Sequence, residues 1–198
     1  MTATEWERIH AAREWGLWPD ISVVRFVRRK FPQRSKGRTA LDIGCGAGAV
    51  SFFLASEGFD VHGIDASASA IERCRMRASD LPISFKVQDA SRLPYEGHAF
   101  DLVVDVACLQ HLADCDAVRA LFEARRVLKK GGWFFSLALA EGSSEELHEG
   151  LYARHLTRAA CVELYGGVFG TLTIERETRT DQGLCVANWI VMARKGGD

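Results

Sequence analysis

Short apolar runs alternate with longer amphipathic segments from residue 39 onward. The apolar runs predict five buried strands, at residues 39–44, 59–65, 83–90, 99–107 and 133–140. Apolar positions at helical spacing predict four helices, at residues 49–58, 66–79, 116–132 and 156–167. Because strands that alternate with helices form parallel sheets covered on both faces, this pattern predicts a doubly wound α/β fold.

The end of the chain follows a different pattern. Residues 171–180 and 185–195 flank the sequence DQGL and read as two strands of an antiparallel hairpin. The complete prediction is a mainly parallel, seven-stranded sheet that ends in this hairpin. Since no repeat, low-complexity tract or linker marks a second domain, we expect one compact domain overall.

The region before residue 39 predicts helices added to the front of the sheet. Pro19 and Asp20 suit a first helical turn, and the predicted apolar stripe behind them is Ile21, Val24, Val27 and Phe31. Three of the five tryptophans lie here: Trp6, Trp15 and Trp18. They suit either a pocket lining or a cover for the sheet. We expect residues 1–38 to form a helical lid or cap over residues 39–198.

Local signals also predict where individual helices begin and end. Ser69 and Glu72 have the spacing of a capping box, and Thr157 suits the N-cap of the last helix. One face of the helix at 116–132 is predicted from Val118, Leu121, Phe122, Arg125 and Leu128. Lys129 and Lys130 are then expected in its last turn, before a glycine stop.

The composition is that of an ordinary globular protein. Hydrophobic residues make up 47%, charged residues 26%, and the formal net charge is −1, which gives no general reason to bind nucleic acid or an anionic membrane. No apolar run approaches the roughly 18 residues that span a bilayer. The start, MTATEWERIH, lacks a secretory apolar core, so we expect a cytoplasmic protein. The six cysteines and six histidines are scattered, which argues against disulfides and against a metal site.

A glycine-rich loop follows the first strand, in the sequence LDIGCGAGAV at residues 41–50. A Walker loop requires Gly-Lys-Ser/Thr after its glycines, whereas Ala49, Val50 and Ser51 stand here, so a nucleoside triphosphatase is excluded. GCGAGA satisfies the dinucleotide pattern, and Asp65 supplies the acid expected at the end of the next strand. From the glycines alone, a nicotinamide dinucleotide and a nucleoside sulfonium both remain open.

Three further features favour the sulfonium. Asp42 stands two residues before the first glycine, where an acid orients the loop or meets a ligand ammonium group through water; a pyrophosphate gains nothing from it. Asp89 ends the third strand, where a carboxylate accepts a hydrogen bond from an adenine amino group. A dinucleotide-binding sheet continues with a second mononucleotide-binding half, whereas this sheet ends in the antiparallel hairpin.

The ordered series of motifs resembles the class I S-adenosylmethionine-dependent methyltransferases. LDIGCGAG is similar to their first motif and VHGIDAS to their second. VQDASRLPYEGHAFDLVVDVACLQHL is similar to their adenine-contact strand and the strand after it, and RVLKKGGWFFSLAL to their post-motif helix and fifth strand. The resemblance covers residues 39–195. It implies the Rossmann-like methyltransferase fold, with S-adenosylmethionine as cofactor and S-adenosylhomocysteine as product.

The resemblance also implies the residues that bind the cofactor. Asp65 would bind both ribose hydroxyls, Asp89 the adenine amino group, and the backbone of Val106 the methionyl ammonium group. The implied set is Asp42, Gly44, Cys45, Gly46, Gly48, Asp65, Ala66, Asp89, Ala90 and Val106.

Methyl transfer from a sulfonium is an in-line displacement in which the protein chiefly aligns the reacting atoms. A hydroxyl acceptor usually needs a general base, and His111, just after the fourth strand, is the candidate; its alternative role is to pack or cap the following helix. Further candidates for the substrate wall are Tyr152, Arg154 and His155, faced by Arg13, Trp15 and Trp18.

Some acceptors are disfavoured by what the sequence lacks. The position of the Asn/Asp-Pro-Pro-Tyr/Phe motif of DNA amino methyltransferases reads DVACLQ, and Cys108 follows alanine rather than proline, so it reads as a packed residue. Residues 25–38 hold seven Lys/Arg that could meet RNA or an anionic substrate, although a solvated helix face is favoured.

The segment between the fifth strand and the helix after it, like the last hairpin, leaves little room for a substrate domain. We therefore expect a small-molecule acceptor, such as a sugar or natural-product intermediate, methylated on oxygen rather than nitrogen. A nicotinamide-dependent oxidoreductase and a non-catalytic S-adenosylmethionine-binding protein are the alternatives. Neither the acceptor nor the oligomeric state follows from the sequence.

Overall fold

A computed structural model describes residues 2–12, 16–32, 35–78, 81–144, 152–181 and 183–196. The strands are β1 Thr39–Ile43, β2 Asp60–Asp65, β3 Ile83–Val87, β4 Phe100–Val106, β5 Leu128–Leu139, β6 Leu172–Asp181 and β7 Leu184–Arg194. The helices are α1 Ala3–Ala12, α2 Ile21–Lys30, α3 Ala49–Ser56, α4 Ala68–Ala78, α5 Asp114–Val127 and α6 Arg158–Phe169, with a 3₁₀ turn at Leu109–His111.

The strands form one seven-stranded sheet in the order β3-β2-β1-β4-β5-β7-β6. The first five pair in parallel, and β7 pairs antiparallel with both β5 and β6. This arrangement confirms the predicted fold, including the closing hairpin. The chain runs outward from β1 to β3 and then crosses back to β4, so the carboxyl ends of β1 and β4 form the switch point where open α/β sheets bind ligands.

Helices cover both faces of the sheet. On one face, α5 and α6 pack through small and aromatic residues such as Ala120 and Tyr165. On the other face, α2 packs against the sheet through Phe26 and Val27, and α3 packs beside it through Leu54. The α2 part of the N-terminal region is therefore built into the core, where burial of such side chains contributes roughly 1.5–3 kcal/mol each.

The C-terminal end of α5 differs from the prediction. The helix ends at Val127, and Lys129 and Lys130 lie in β5 rather than in the last helical turn. Leu128 is fully buried and pairs with Phe100 of β4, which requires an extended backbone. Tertiary pairing thus overrides the local helical pattern.

The face that α5 buries was also predicted incorrectly in part. Val118 and Phe122 are exposed, whereas Leu121 is buried together with three alanines, Ala117, Ala120 and Ala124. Alanine faces let a helix backbone approach the sheet closely, and this contribution is invisible to a search for large apolar side chains.

Two predictions near the N-termini of helices were wrong by one or two positions. α4 begins at Ala68, and its capping hydroxyl belongs to Ser67, whose Oγ accepts from the Ala70 amide at 3.1 Å, rather than to Ser69. In α2 the buried face includes Val23 and Phe26 with Val27, while Ile21 is about half exposed. The Thr157 cap of α6 is confirmed, because its Oγ1 accepts from the Ala160 amide at 3.1 Å.

Candidate functional site

A cavity of about 310 Å³ opens at the carboxyl ends of β1, β2 and β4, at the switch point of the sheet. Nine of the ten residues implied in cofactor binding line it, as does His111. The tenth, Gly48, is not among the lining residues and instead occupies the N-cap of α3 with φ +83°. Residues far apart in the sequence are therefore brought to one concave site.

One glycine of the loop, Gly44, approaches its neighbour more closely than a side chain would permit. Gly44 has φ +67°, and a Cβ there would lie 2.4 Å from the Cβ of Cys108 in the loop after β4. Gly46 has φ +51° and faces His10 of α1, whose Cε1 would lie 3.5 Å from an added Cβ. Both positions leave backbone, rather than side chains, facing the cavity.

Asp42 lies buried beneath this loop. Its Oδ2 accepts a hydrogen bond of 2.6 Å from the Ser51 hydroxyl of α3. Burial raises the pKa of Asp42 to about 7, and this outweighs the opposing effect of the Ser51 bond. The side chain holds the loop against α3 and places a carboxyl group behind the part of the cavity where the resemblance expects a ligand ammonium group.

Asp65 ends β2 and fixes two turns at once. Its Oδ2 accepts from the Gly46 amide at 2.9 Å, and its Oδ1 accepts from the Ser67 amide at 2.9 Å. A carboxylate has about four acceptor positions, so each oxygen retains capacity for a further donor. Asp65 and Ala66 line the cavity, and this set suits a pair of vicinal ribose hydroxyls.

The end of β3 supplies the next wall. Asp89 is exposed, and its Oδ1 accepts from the Ser91 amide at 2.8 Å, while Ala90 is buried beside it. Both residues and Gln88 line the cavity. This pair suits an adenine ring that packs on Ala90 and donates a hydrogen bond from its amino group to the Asp89 carboxylate.

The loop after β4 is held by a buried acid that the sequence reading did not single out. Asp105 Oδ1 accepts from the amides of Cys108 and Leu109 at 3.0 and 3.1 Å. Its Oδ2 accepts from the Ser136 hydroxyl at 2.6 Å, and burial raises the pKa of Asp105 to about 6. Between these residues Ala107 adopts φ +61°, a conformation that non-glycine residues rarely take. The Asp105 bonds support this strained turn, which presents the backbone of Val106 to the cavity.

Cys108 packs in this loop rather than acting as a reactive thiol. Burial raises the pKa of Cys108 well above its ordinary value, which disfavours the thiolate that a nucleophile requires. Its side chain fills the space that a substituent on Gly44 would need. The structure supports the packed role expected from the sequence.

His111 ends the 3₁₀ turn and lines the cavity while remaining only 4% exposed. Its Nδ1 lies 2.7 Å from the carbonyl oxygen of Tyr152, and its Nε2 lies 3.3 Å from the side-chain nitrogen of Gln110. Because a carbonyl only accepts, Nδ1 carries a proton and donates it. The amide nitrogen of Gln110 then donates to an unprotonated Nε2. His111 does not cap α5, whose N-cap is Ala113.

The segment after β5 supports the turn that holds His111, through the Tyr152 carbonyl and the Arg154 side chain. The Arg154 guanidinium donates to the Leu112 carbonyl at 2.9 Å and pairs with Asp114 at 2.5 Å, which ties this segment to the turn that holds His111. Tyr152 is exposed and touches His111 through its carbonyl. Neither residue, nor His155, is among those that line the cavity.

Residues of the N-terminal region complete the cavity. The Trp6 ring meets His111 edge-on at 5.0 Å between centroids, and His10 is buried, with its pKa lowered chiefly by that burial. Trp18 lines the mouth and is 90% exposed. Arg13 and Trp15 lie outside the described residues. The sequence leaves Trp6 open between a pocket lining and a cover for the sheet, and Trp6 lines the cavity. His10 was not singled out, although its spacing of four from Trp6 places both on one face of a helix.

Within the described residues, no group of three or more His, Cys, Asp or Glu side chains could hold a metal ion. Within the same residues, no helix combines the length and apolar character that crossing a membrane requires.

Comparison with known proteins identifies the domain around this cavity. Residues 40–132 match a family model described as a methyltransferase domain. A ubiquinone biosynthesis O-methyltransferase of Chelativorans sp. (strain BNC1) is 35% identical over 102 residues, covering 50% of this chain and 40% of the relative. The methyltransferase GfsG of Streptomyces halstedii is 33% identical over 142 residues, covering 64% of this chain and 49% of the relative. The chain thus spans about half the length of these relatives.

A solved structure agrees on the fold. A protein of Methanosarcina mazei, described as an S-adenosylmethionine-dependent methyltransferase, superposes with a TM-score of 0.73 at 23% identity. The match covers 87% of this chain and 98% of that one.

Proposed function

Since the chain belongs to the class I S-adenosylmethionine-dependent methyltransferase family, we propose that it transfers a methyl group from this cofactor to a small-molecule acceptor, on oxygen rather than nitrogen. The observation that carries the proposal is the convergence of the glycine loop, the strand-end acids and His111 on one cavity. The family assignment removes support for a nicotinamide-dependent oxidoreductase.

Each proposed cofactor residue binds a different part of S-adenosylmethionine. Asp65 accepts from the ribose hydroxyls, Asp89 from the adenine amino group, and the carbonyl of Val106 from the methionyl ammonium group. Gly44 and Gly46 allow the backbone to approach the ligand, and Asp42 and Cys45 complete that side of the cavity. When bound, S-adenosylmethionine supplies a methyl group that is already activated by its sulfonium.

His111 is the proposed proton acceptor for a hydroxyl substrate. With Nδ1 donating to the Tyr152 carbonyl, the basic nitrogen is Nε2. Gln110 donates to that nitrogen across 3.3 Å, a long bond that a substrate hydroxyl can replace. The buried ring and the Trp6 contact hold this orientation, so the base is positioned before the acceptor arrives.

The charges around the cavity favour a neutral acceptor. The charged side chains that line it within the described residues are acids: Asp65 and Asp89 in its depth, and Asp20 at the mouth, where it pairs with Arg179 at 2.6 Å. No Lys or Arg is among the described lining residues, and Asp42, whose pKa burial raises to about 7, lies beneath them. An anionic acceptor would meet repulsion there, since like charges in a poorly hydrated cleft interact strongly. The exposed Trp18 offers an apolar surface where a ring could enter.

The name of the Chelativorans relative, an O-methyltransferase of ubiquinone biosynthesis, supports an oxygen acceptor on a small molecule. All six cysteines are free, which supports the proposal that the protein works in a reducing compartment such as the cytoplasm. We further propose that residues 1–38 act as the helical lid or cap of the domain formed by residues 39–198, with α2 packed into the core and α1 covering the cavity.

A cofactor-consumption screen tests the function. The full chain is incubated with S-adenosylmethionine and pairs of acceptors that share a ring, one a neutral phenol and one its carboxylate analogue, together with sugars and amines. We expect S-adenosylhomocysteine to accumulate with neutral hydroxyl compounds, with the added methyl on oxygen by mass spectrometry. Cofactor binding without turnover on any acceptor class would favour the non-catalytic alternative, and turnover on the amines alone would overturn the proposal of an oxygen acceptor.

A further inference from the structure

Helix α1 is attached to the start of α4 by one side chain. The Glu7 carboxylate accepts from the Ser67 hydroxyl at 2.7 Å, from the Ser69 amide at 3.1 Å and from the Ser69 hydroxyl. The Ser69 and Ser67 bonds lower the pKa of Glu7 to about 2, so the side chain is a carboxylate at neutral pH. Bonds of this kind, with an ionised acceptor, are about twice as strong as neutral ones.

The turn that Glu7 holds is the one that carries Asp65. The Ser67 amide donates to Asp65 Oδ1, and the Ser67 hydroxyl also accepts from the Ala70 amide. Ser67 thus joins Glu7 on one side to Asp65 on the other. A change at Glu7 therefore reaches the proposed ribose acceptor through a single residue.

The same helix covers the rest of the cavity. Trp6 lies against His111 on the β4 side, and His10 lies against Gly46 on the glycine-loop side. The Arg73 guanidinium of α4 donates to the His10 carbonyl, which gives the helix a second attachment close to the first. With Trp6 and His10 both lining the cavity, α1 stands over it between its two walls.

We propose that α1 is a gate for cofactor exchange and that Glu7 is the positioning residue that keeps it closed while fixing the Asp65 turn. This inference rests on the proposed function. The cofactor enters and leaves when the bonds of Glu7 to Ser67 and Ser69 open. A bound cofactor stabilises the closed gate, and the closed gate slows both the entry and the release of the cofactor.

Stopped-flow measurement of S-adenosylhomocysteine binding, followed by intrinsic tryptophan fluorescence, tests the gate in the full chain. The variant is Glu7→Gln, and the matched control is Glu5→Gln. Glu5 lies on the same helix, but within the described residues its carboxylate accepts hydrogen bonds from the amide and hydroxyl of Thr2 alone, at 2.7 and 2.9 Å. We expect Glu7→Gln to raise both the association and the dissociation rates by about 3–10-fold, the order set by weakening one or two charge-assisted bonds on a partly exposed side chain. Glu5→Gln should change neither by more than about twofold.

Hydrogen exchange measures the closure of α1 independently of the association and dissociation rates of the ligand. Binding of S-adenosylhomocysteine should protect the amides of residues 3–12 in the wild type and in Glu5→Gln, and protect them less in Glu7→Gln. Equal rates and equal protection in the two variants would overturn the gate. A loss of fold alone would lower the melting temperature and slow association, which also counts against it. If the wild type fails to bind the ligand, the proposed function itself is wrong.

Discussion

Replacement of Gly44 by alanine tests how closely the glycine loop must approach the loop after β4. Gly44 has φ +67°, and its added Cβ would lie 2.4 Å from the Cβ and 2.5 Å from the Sγ of Cys108. Gly37 is the matched control, because it has φ +83° and no heavy atom within 4 Å of an added Cβ. Both variants place alanine in the left-handed region, and only one creates an overlap.

The pair of variants separates the cost of a left-handed backbone from the cost of the overlap with Cys108. A left-handed conformation costs a non-glycine residue about 1–2 kcal/mol, and the gain from a stiffer unfolded chain is shared by both variants. Overpacking against a buried neighbour adds about 1–3 kcal/mol. The free energy of unfolding should therefore fall by about 1–2 kcal/mol in Gly37→Ala and by about 2–5 kcal/mol in Gly44→Ala.

Urea unfolding followed by circular dichroism measures both losses, and calorimetry measures the affinity for S-adenosylhomocysteine. We expect Gly44→Ala to weaken that affinity and Gly37→Ala to leave it unchanged, since Gly37 is remote from the cavity lining. If the two variants lose the same stability, or if Gly44→Ala binds normally, the close approach is not required and the reasoning fails.

Two further predictions concern the buried side chains of the site. Burial raises the pKa of Asp42 to about 7 from an ordinary 3.8, so its contribution to stability is complete below about pH 4 and is lost as the pH rises through 7. Asp42→Asn should remove that component, at most about 4 kcal/mol, from the pH dependence of the unfolding free energy; a profile identical to the wild type between pH 4 and 8 would contradict it. His111→Asn keeps a donor for the Tyr152 carbonyl but removes the base, so turnover on a hydroxyl acceptor should fall by about 10²–10⁴ with unchanged cofactor affinity. Normal turnover would reject His111 as the base.

The strand ends of the site could be predicted because they depend on local pattern. A parallel strand followed by a helix places its last residues at one edge of the sheet, so Asp65, Asp89 and Val106 were expected together before the structure was known. The order of strands and helices along the chain could be predicted in the same way, from the alternation of short apolar runs with amphipathic segments. Helix faces were less predictable: in α5 three alanines share the buried face with Leu121, and a search for large apolar side chains does not find them.

The cover of the cavity could not be predicted, because its contacts join distant parts of the chain. Glu7 and the Ser67 hydroxyl are 60 residues apart, and their bond exists only because α1 packs on α4. Asp105 reads as one polar residue in an apolar strand, and its role in the loop after β4 appears only when Ser136 of β5 lies beside it. Spacing within a helix or a strand does not specify which partner a side chain will meet across the fold.

Calorimetric titration of the wild type, Asp65→Ala and Asp60→Ala with S-adenosylhomocysteine and with NAD tests the central claim most directly. Asp65 and Asp60 stand at opposite ends of β2, and only Asp65 lines the cavity. The wild type and Asp60→Ala should bind S-adenosylhomocysteine alike and show no binding of NAD. Asp65→Ala should bind it about 10-fold more weakly or worse, because the ribose hydroxyls lose a charged acceptor. Preferential binding of NAD, or an unchanged affinity in Asp65→Ala, would contradict the account.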